Sequence, residues 1–430
     1  MSSPADADFL LVGASELVTC AGRAPAAGRE QSRVAVIEGG ALAARAGRIV
    51  WVGPAAEVES RIRMLDGARR LDVEGRAVLP GLVDTHTHLV WAGGRADEFE
   101  RRLAGASYGE ILAGGGGILR TVEATRSAGF EELREVALRH MEALARFGVT
   151  AMEVKSGYGL ETATEIRMLE AALAAGRQRP FALTSTFLGA HTLPRQARGS
   201  AAAREEYLAQ VTDEMIPAVA RRGLARFVDV FIDRHAFSVE EARRVFLAAR
   251  DHGLGIKVHA GQLAADGGAE LAAEMGAVSA DHLEHLSPSG VEALARAGTV
   301  GVLLPGATLF LRSHDYADGR RMVDGGMAVA VATDFNPGSC PSPSLPLMMQ
   351  LACLYCGLSV DEAIVAATLN AAAASGLEGL TGSLEPGKRC DLLILDSANR
   401  RDLLYHLGSP PIWRVIAAGH DVGAVPPPAA

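Results

Sequence analysis

Between residues 81 and 333, short and almost wholly apolar runs alternate with longer segments whose apolar residues recur every three and four positions. Runs without polar alternation read as strands covered on both faces, and the intervening period is that of amphipathic helices. Eight strands are predicted, at 81–86, 149–155, 181–187, 227–232, 255–259, 277–281, 300–304 and 328–333. The clearest helices fall at 131–147, 161–176, 202–222 and 239–252. Eight βα units close most simply as an α/β barrel of the (β/α)8 type, for which about 250 residues is usual. An open doubly wound sheet is the alternative, but no strand runs into a Gly-x-Gly-x-x-Gly turn.

The ends of the chain have a different texture. Residues 9–13, 32–37, 41–53 and 70–75 read as short strands between turns, and the flavour returns at 382–396 and 412–419. Chain termini commonly lie together, so residues 1–80 plus 380–430 are expected to form one small β-sandwich domain. Residues 81–379 are then the barrel.

Composition narrows the classes of partner. The 430 residues are 49% hydrophobic and carry a net charge of −9, with Lys and Arg scattered along the chain. That leaves no basic footprint for nucleic acid or an anionic membrane. The first eight residues lack a basic leader and no apolar run approaches about 18 residues, so a cytoplasmic protein is expected. Five cysteines, an odd number thinly spread, fit a reducing compartment. Cys353-x-x-Cys356 lies in an apolar, helix-like run with no second pair, which favours packing over a zinc ribbon. The glycine run Gly114–Gly117 lacks Gly-Lys-Ser/Thr, so it reads as an active-site loop instead of a phosphate cradle.

The polar residues lie where a barrel does its chemistry, at the C-terminal ends of the strands. Strand 1 ends in His86-Thr87-His88, strand 5 in Lys257-Val258-His259, strand 6 in Asp281-His282 and strand 8 in Thr333-Asp334. His86, His88, His259 and Asp334 make a nitrogen and oxygen donor set suited to one divalent ion, zinc or iron. Such an ion supplies hydroxide near neutral pH, with Asp334 both binding metal and accepting the proton. His282 is either a further ligand or the group that polarises a substrate carbonyl. His285 and the remaining helix or loop histidines read as structural.

With its His-x-His, two later strand-end histidines and final aspartate in this order, the chain resembles the amidohydrolase superfamily of metal-dependent barrels. Many members hold two metals bridged by a lysine on strand 4. Strand 4 here, Phe227-Val-Asp-Val-Phe-Ile232, has no lysine and Lys155 ends strand 2, so the resemblance implies a mononuclear centre.

Further motifs carry the resemblance toward members that open an imidazolone ring in histidine degradation: Lys155-Ser-Gly-Tyr-Gly159, Lys257-Val-His-Ala-Gly-Gln262 and Asp334-Phe-Asn-Pro-Gly-Ser339. The implied small-molecule substrate is 4-imidazolone-5-propanoate and the product N-formimidoyl-L-glutamate, formed by a metal-activated hydroxide. Arg95 is suited to grip the propionate bidentately. Tyr158 and His191 are implied as ring contacts, and Asn336, Gly338 and Ser339 as a loop offering backbone N–H groups to an anion. Ring deaminases place a glutamate at the position of Gln262. A glutamine cannot act as an acid, so Gln262 is assigned to orientation and proton transfer to Asp334 and His282. The resemblance also implies a homodimer. The competing readings are another cyclic amidohydrolase of hydantoinase or deaminase type, and a barrel scaffold without catalysis.

Overall fold

A computed structural model describes residues 4–105 and 116–424. Gly114 and Gly115, the first half of the glycine run read as an active-site loop, lie outside the described residues.

The eight strands form one parallel sheet in sequential order: β1 (Leu82–Asp84), β2 (Val149–Lys155), β3 (Ala182–Ala190), β4 (Phe227–Phe231), β5 (Gly255–Ala260), β6 (Ser279–His282), β7 (Val300–Leu303) and β8 (Val329–Val331). Amphipathic helices cover the outside, among them Phe130–Ala145, Thr162–Gly176 and Val239–Asp251, each turning small and branched apolar residues inward. The last opens with a reciprocal cap in which Ser238 and Glu241 satisfy each other's backbone N–H.

The circle closes between β8 and β1 through a carboxylate as well as through backbone. Asp84 accepts the N–H of Thr333 at 3.1 Å and its hydroxyl at 2.6 Å. Immediately above, Asp334 donates its N–H to His86 O at 3.0 Å, and His88 donates to Phe335 O at 3.0 Å. The seam of the barrel therefore brings the first and last strand ends together, 248 residues apart for the pair His86 and Asp334.

Both chain ends build the β-sandwich. A four-stranded sheet runs Arg48–Pro54, Gly40–Arg45, Ala5–Val12, Ile62–Asp72, and a six-stranded sheet runs His420–Ala424, Ile412–Ala417, Leu392–Leu395, Val78–Pro80, Glu16–Val18, Val36–Glu38. Leu11, Leu42, Val78, Leu392 and Ile416 share the core between them. The run 41–53, expected as one strand, is a hairpin, because Ala46 and Gly47 both take positive φ (50° and 74°), the backbone of a tight two-residue turn. Only Gly81 separates the sandwich strand Val78–Pro80 from β1. A Cβ there would collide with the Thr150 side chain on β2, so glycine lets the sheet pass directly into the barrel.

One helix departs from expectation. The stretch 202–222 is broken into Ala201–Ala209, a π-helical turn Gln210–Met215 and Ile216–Arg221. Pro217 has no N–H to continue an α ladder, and the widened turn just before it absorbs the defect.

Candidate active site

His86 and His88 lie just beyond β1 and flank Thr87, which bridges Phe335 on the far side of the seam. Their rings are 5.4 Å apart, and His259 from β5 stands 4.5 Å from His86 and 5.9 Å from His88. Asp334 Oδ1 is 3.6 Å from His86 Nε2 and 3.5 Å from His88 Nε2. Donor atoms of His86, His88 and Asp334 fall within 4.8 Å of one another, as do those of His86, His259 and His282. Asp334 and His282 both adopt positive φ (53° and 83°), which costs roughly 1–3 kcal/mol at each non-glycine residue. At these two strand ends the turn takes the side chain off the line of the strand.

The donor set fits a divalent ion. His86 Nε2 is buried without a hydrogen-bond partner, while its Nδ1 lies 2.6 Å from Asp281 Oδ2. His259 repeats the arrangement, with Nδ1 3.1 Å from Asp229 Oδ1. A carboxylate on Nδ1 fixes the tautomer that leaves Nε2 as a lone pair, the usual support for a metal-bound imidazole. Burial, reinforced by neighbouring imidazoles and by Lys155, holds His86 and His88 well below the ordinary imidazole range. Both are neutral at pH 7, as ligation requires. His282 differs: burial alone would lower it, but Glu284, 3.7 Å from Nδ1, together with Asp334 and Asp281 raises it.

The cluster forms one wall of a cavity of about 970 Å³. Arg95, Tyr158, His191, Gln262, Asn336, Gly338 and Ser339 all line it, together with His88, His259, His282 and Asp334. Tyr158 is 5.7 Å from the His88 ring, and His191 stacks on His88 at 5.1 Å with 15° between planes. His191 Nδ1 is 3.1 Å from Gly157 O, and burial pushes its pKa down to about 3. Arg95 is held by Glu98, Nε to Oε2 at 2.9 Å, and the other Glu98 oxygen accepts the Gly117 N–H at 3.0 Å. Arg95 is thus a fixed cation on a wall shared with the donor cluster.

The loop after Asp334 is used differently from expectation. The N–H groups of Gly338 and Ser339, expected to face an anion, both donate to Asn336 Oδ1 at 2.8 Å. An asparagine two residues upstream satisfies the turn internally, and the Ser339 hydroxyl donates to Asp334 Oδ2 at 3.1 Å. The loop therefore braces the aspartate.

Sequence reasoning assigned no role to Asp229 and Asp281, the carboxylates that meet His259 and His86, nor to Glu153 and Lys257 packed beneath them, all fully buried. The available signal was charge at every second position of otherwise apolar strands, as in Glu153-x-Lys155 and Lys257-x-His259. Lys155 does end β2, as expected, and is engaged by carboxylates on β2, β4 and β6.

Residues 77–422 match the amidohydrolase family. The chain is 50% identical over 413 residues to the imidazolonepropionase of Symbiobacterium thermophilum, covering 96% of each chain. It is 47% identical over 412 residues to that of Geobacillus kaustophilus, covering 95% of this chain and 96% of the relative. The chain belongs to the imidazolonepropionase group of the amidohydrolase family. Solved structures share the family fold at low identity. An adenosine deaminase from Xanthomonas campestris with bound zinc has a TM-score of 0.74 at 21% identity, over 98% of this chain and 94% of that one. The guanine deaminase of E. coli has a TM-score of 0.72 at 17% identity, over 97% and 100%.

Proposed function

We propose that the protein hydrolyses the cyclic amide of 4-imidazolone-5-propanoate to N-formimidoyl-L-glutamate, the imidazolonepropionase reaction of histidine degradation. The observation that carries this reading is a single cavity that joins the His86, His88 and Asp334 cluster to a braced arginine, in a chain half identical to a named imidazolonepropionase.

His86, His88, His259 and Asp334 would hold one divalent ion per subunit, zinc or iron. When bound, such an ion supplies a Lewis acid and brings the pKa of water toward about 7. Arg95 holds the propionate as a charge-assisted pair, which sets the ring between Tyr158 and His191. Gln262 orients the ring edge without acting as an acid. Water adds to the ring carbonyl carbon, and His282 donates a hydrogen bond to the oxyanion that develops. Asp334 takes the proton from the attacking water and delivers it to the ring nitrogen as the C–N bond breaks. Ser339 and Asn336 keep that carboxylate in place between the two transfers.

The same reading takes residues 1–80 with 380–430 as one discontinuous domain and the protein as a cytoplasmic homodimer. The free cysteines support the compartment. Large apolar side chains left exposed at Leu354, Tyr355, Tyr405 and Leu407 support a partner surface. Among the described residues no helix is long and apolar enough to cross a membrane. The functional assignment is tested with Asp334→Asn, which should remain folded and lose most turnover. Near-normal activity of the metal-loaded variant would sink it.

A further inference from the structure

Five ionised side chains fill the barrel directly below the histidine cluster. Glu153, Lys155, Asp229, Lys257 and Asp281 are each 0% exposed. Branched apolar residues ordinarily fill such an interior, and buried ions are costly unless every one is paired. These five are paired in an unequal way that separates their roles.

Lys155 Nζ stands 2.7 Å from Asp229 Oδ2, 3.1 Å from Glu153 Oε1 and 3.5 Å from Asp281 Oδ2. The two aspartates are those that meet Nδ1 of His259 and of His86. One ammonium group on β2 thus joins a carboxylate on β4 to a carboxylate on β6, and through them reaches imidazoles on β5 and at the end of β1. Asp281 is gripped on both oxygens, since Oδ1 accepts the Ser279 hydroxyl at 2.6 Å. Lys257 is equally buried and also bonds Glu153, at 2.5 Å, but its other hydrogen bond goes to Thr85 O at 3.2 Å. Its hydrogen bonds reach neither aspartate.

We propose that Lys155 is a positioning residue for the metal centre: it ties Asp229 to Asp281 and so locks His259 and His86 with Nε2 turned toward the donor cluster. This rests on the reading of His86, His88, His259 and Asp334 as ligands of one divalent ion. The tie works by geometry. A carboxylate pinned by the ammonium cannot swing, and the imidazole whose Nδ1–H it accepts cannot swing either. Two ligands from non-adjacent strands are then presented as a preformed pair, and the ion does not have to order them on binding.

The test compares wild-type holoenzyme with Lys155→Met, Lys257→Met and Ser279→Ala. Zinc dissociation constants are measured by competition with a chromophoric chelator, and the Tm of each metal-free protein is recorded alongside. Removing a support behind a metal-bound histidine typically costs about 10- to 100-fold in affinity, and Lys155→Met is expected in that range. Lys257→Met, which removes an equally buried cation from the same glutamate, should stay within about threefold of wild type by the same principle. Ser279→Ala loosens only Asp281 and should weaken zinc about 3- to 10-fold with an unchanged metal-free Tm. Cobalt-substituted Lys155→Met should show shifted ligand-field bands.

Wild-type zinc affinity in Lys155→Met overturns the proposal, and so does equal weakening in the two lysine variants, which makes the role one of packing. If Lys155→Met does not fold, wild-type affinity in Ser279→Ala overturns it instead. Wild-type protein that holds no stoichiometric metal refutes the underlying ligand reading, a result distinct from all of these.

Discussion

The Ser339 hydroxyl lies 3.1 Å from Asp334 Oδ2, while Oδ1 of the same carboxylate faces His86 and His88. One oxygen is thereby occupied by a neutral donor and the other is turned to the donor cluster. A hydrogen bond to a charged group contributes about 1.5–3 kcal/mol. Ser339→Ala is therefore expected to lower kcat by about 10- to 100-fold with metal content unchanged, as steady-state kinetics and metal analysis would show. Full activity in this variant contradicts the bracing role.

Gly338 packs so closely on Arg95 that a Cβ would displace the guanidinium, the mobile end of a long side chain. Its φ is not positive, so Gly338→Ala carries no backbone strain. The variant should keep its Tm and raise KM by about tenfold, equivalent to about 1.4 kcal/mol of binding, with a smaller effect on kcat. A change confined to kcat would move Arg95 away from the propionate.

Metal removal should cost both activity and stability. An ion that binds only the folded chain stabilises it by about 4 kcal/mol at a thousand times its Kd. Dialysis against a chelator should lower Tm by several degrees and abolish turnover, and added zinc or iron(II) should restore both. Calorimetry with and without the ion decides this, and identical Tm values would contradict a resident metal.

His140 couples the outer helix to the seam: its ring stacks on Trp91 at 4.1 Å and Nδ1 is 2.9 Å from Leu89 O. Burial, aided by Arg139, holds its pKa below the ordinary value although the Leu89 carbonyl opposes it. A depressed imidazole stabilises the fold above the unfolded pKa of about 6.5, and that stability is lost as pH falls through the folded value. The unfolding free energy should therefore drop more steeply below pH 6.5 in wild type than in His140→Gln. Denaturant titrations at pH 8, 6.5 and 5 test this, and equal slopes would contradict it.

The barrel was legible because its strands are buried on both faces. Apolar runs such as Val149–Lys155 stand out against helices of period 3.6, and the eight predicted segments each overlap an observed strand, three of which run one to three residues past the predicted end. The edge strand Ile62–Asp72 was foreseen only at its end. Most of its exposed positions are charged and they follow no two-residue alternation, since an edge at the surface has no face that must stay apolar. The ligand candidates could be read because strand-end histidines have few other reasons to recur at one rim. Their supports could not, because Asp229 acquires meaning only from His259 on the neighbouring strand, a relation set by register. The loop after Asp334 misled for a related reason: whether Gly338 and Ser339 turn their N–H groups outward depends on where the Asn336 side chain folds.

The proposed hydrolysis is tested by adding the metal-replete protein to freshly generated 4-imidazolone-5-propanoate. Loss of ring absorbance and formation of N-formimidoyl-glutamate are followed together. Rapid, stoichiometric conversion well above spontaneous decay of the ring is expected, abolished in Asp334→Asn. Decay at the uncatalysed rate would contradict it.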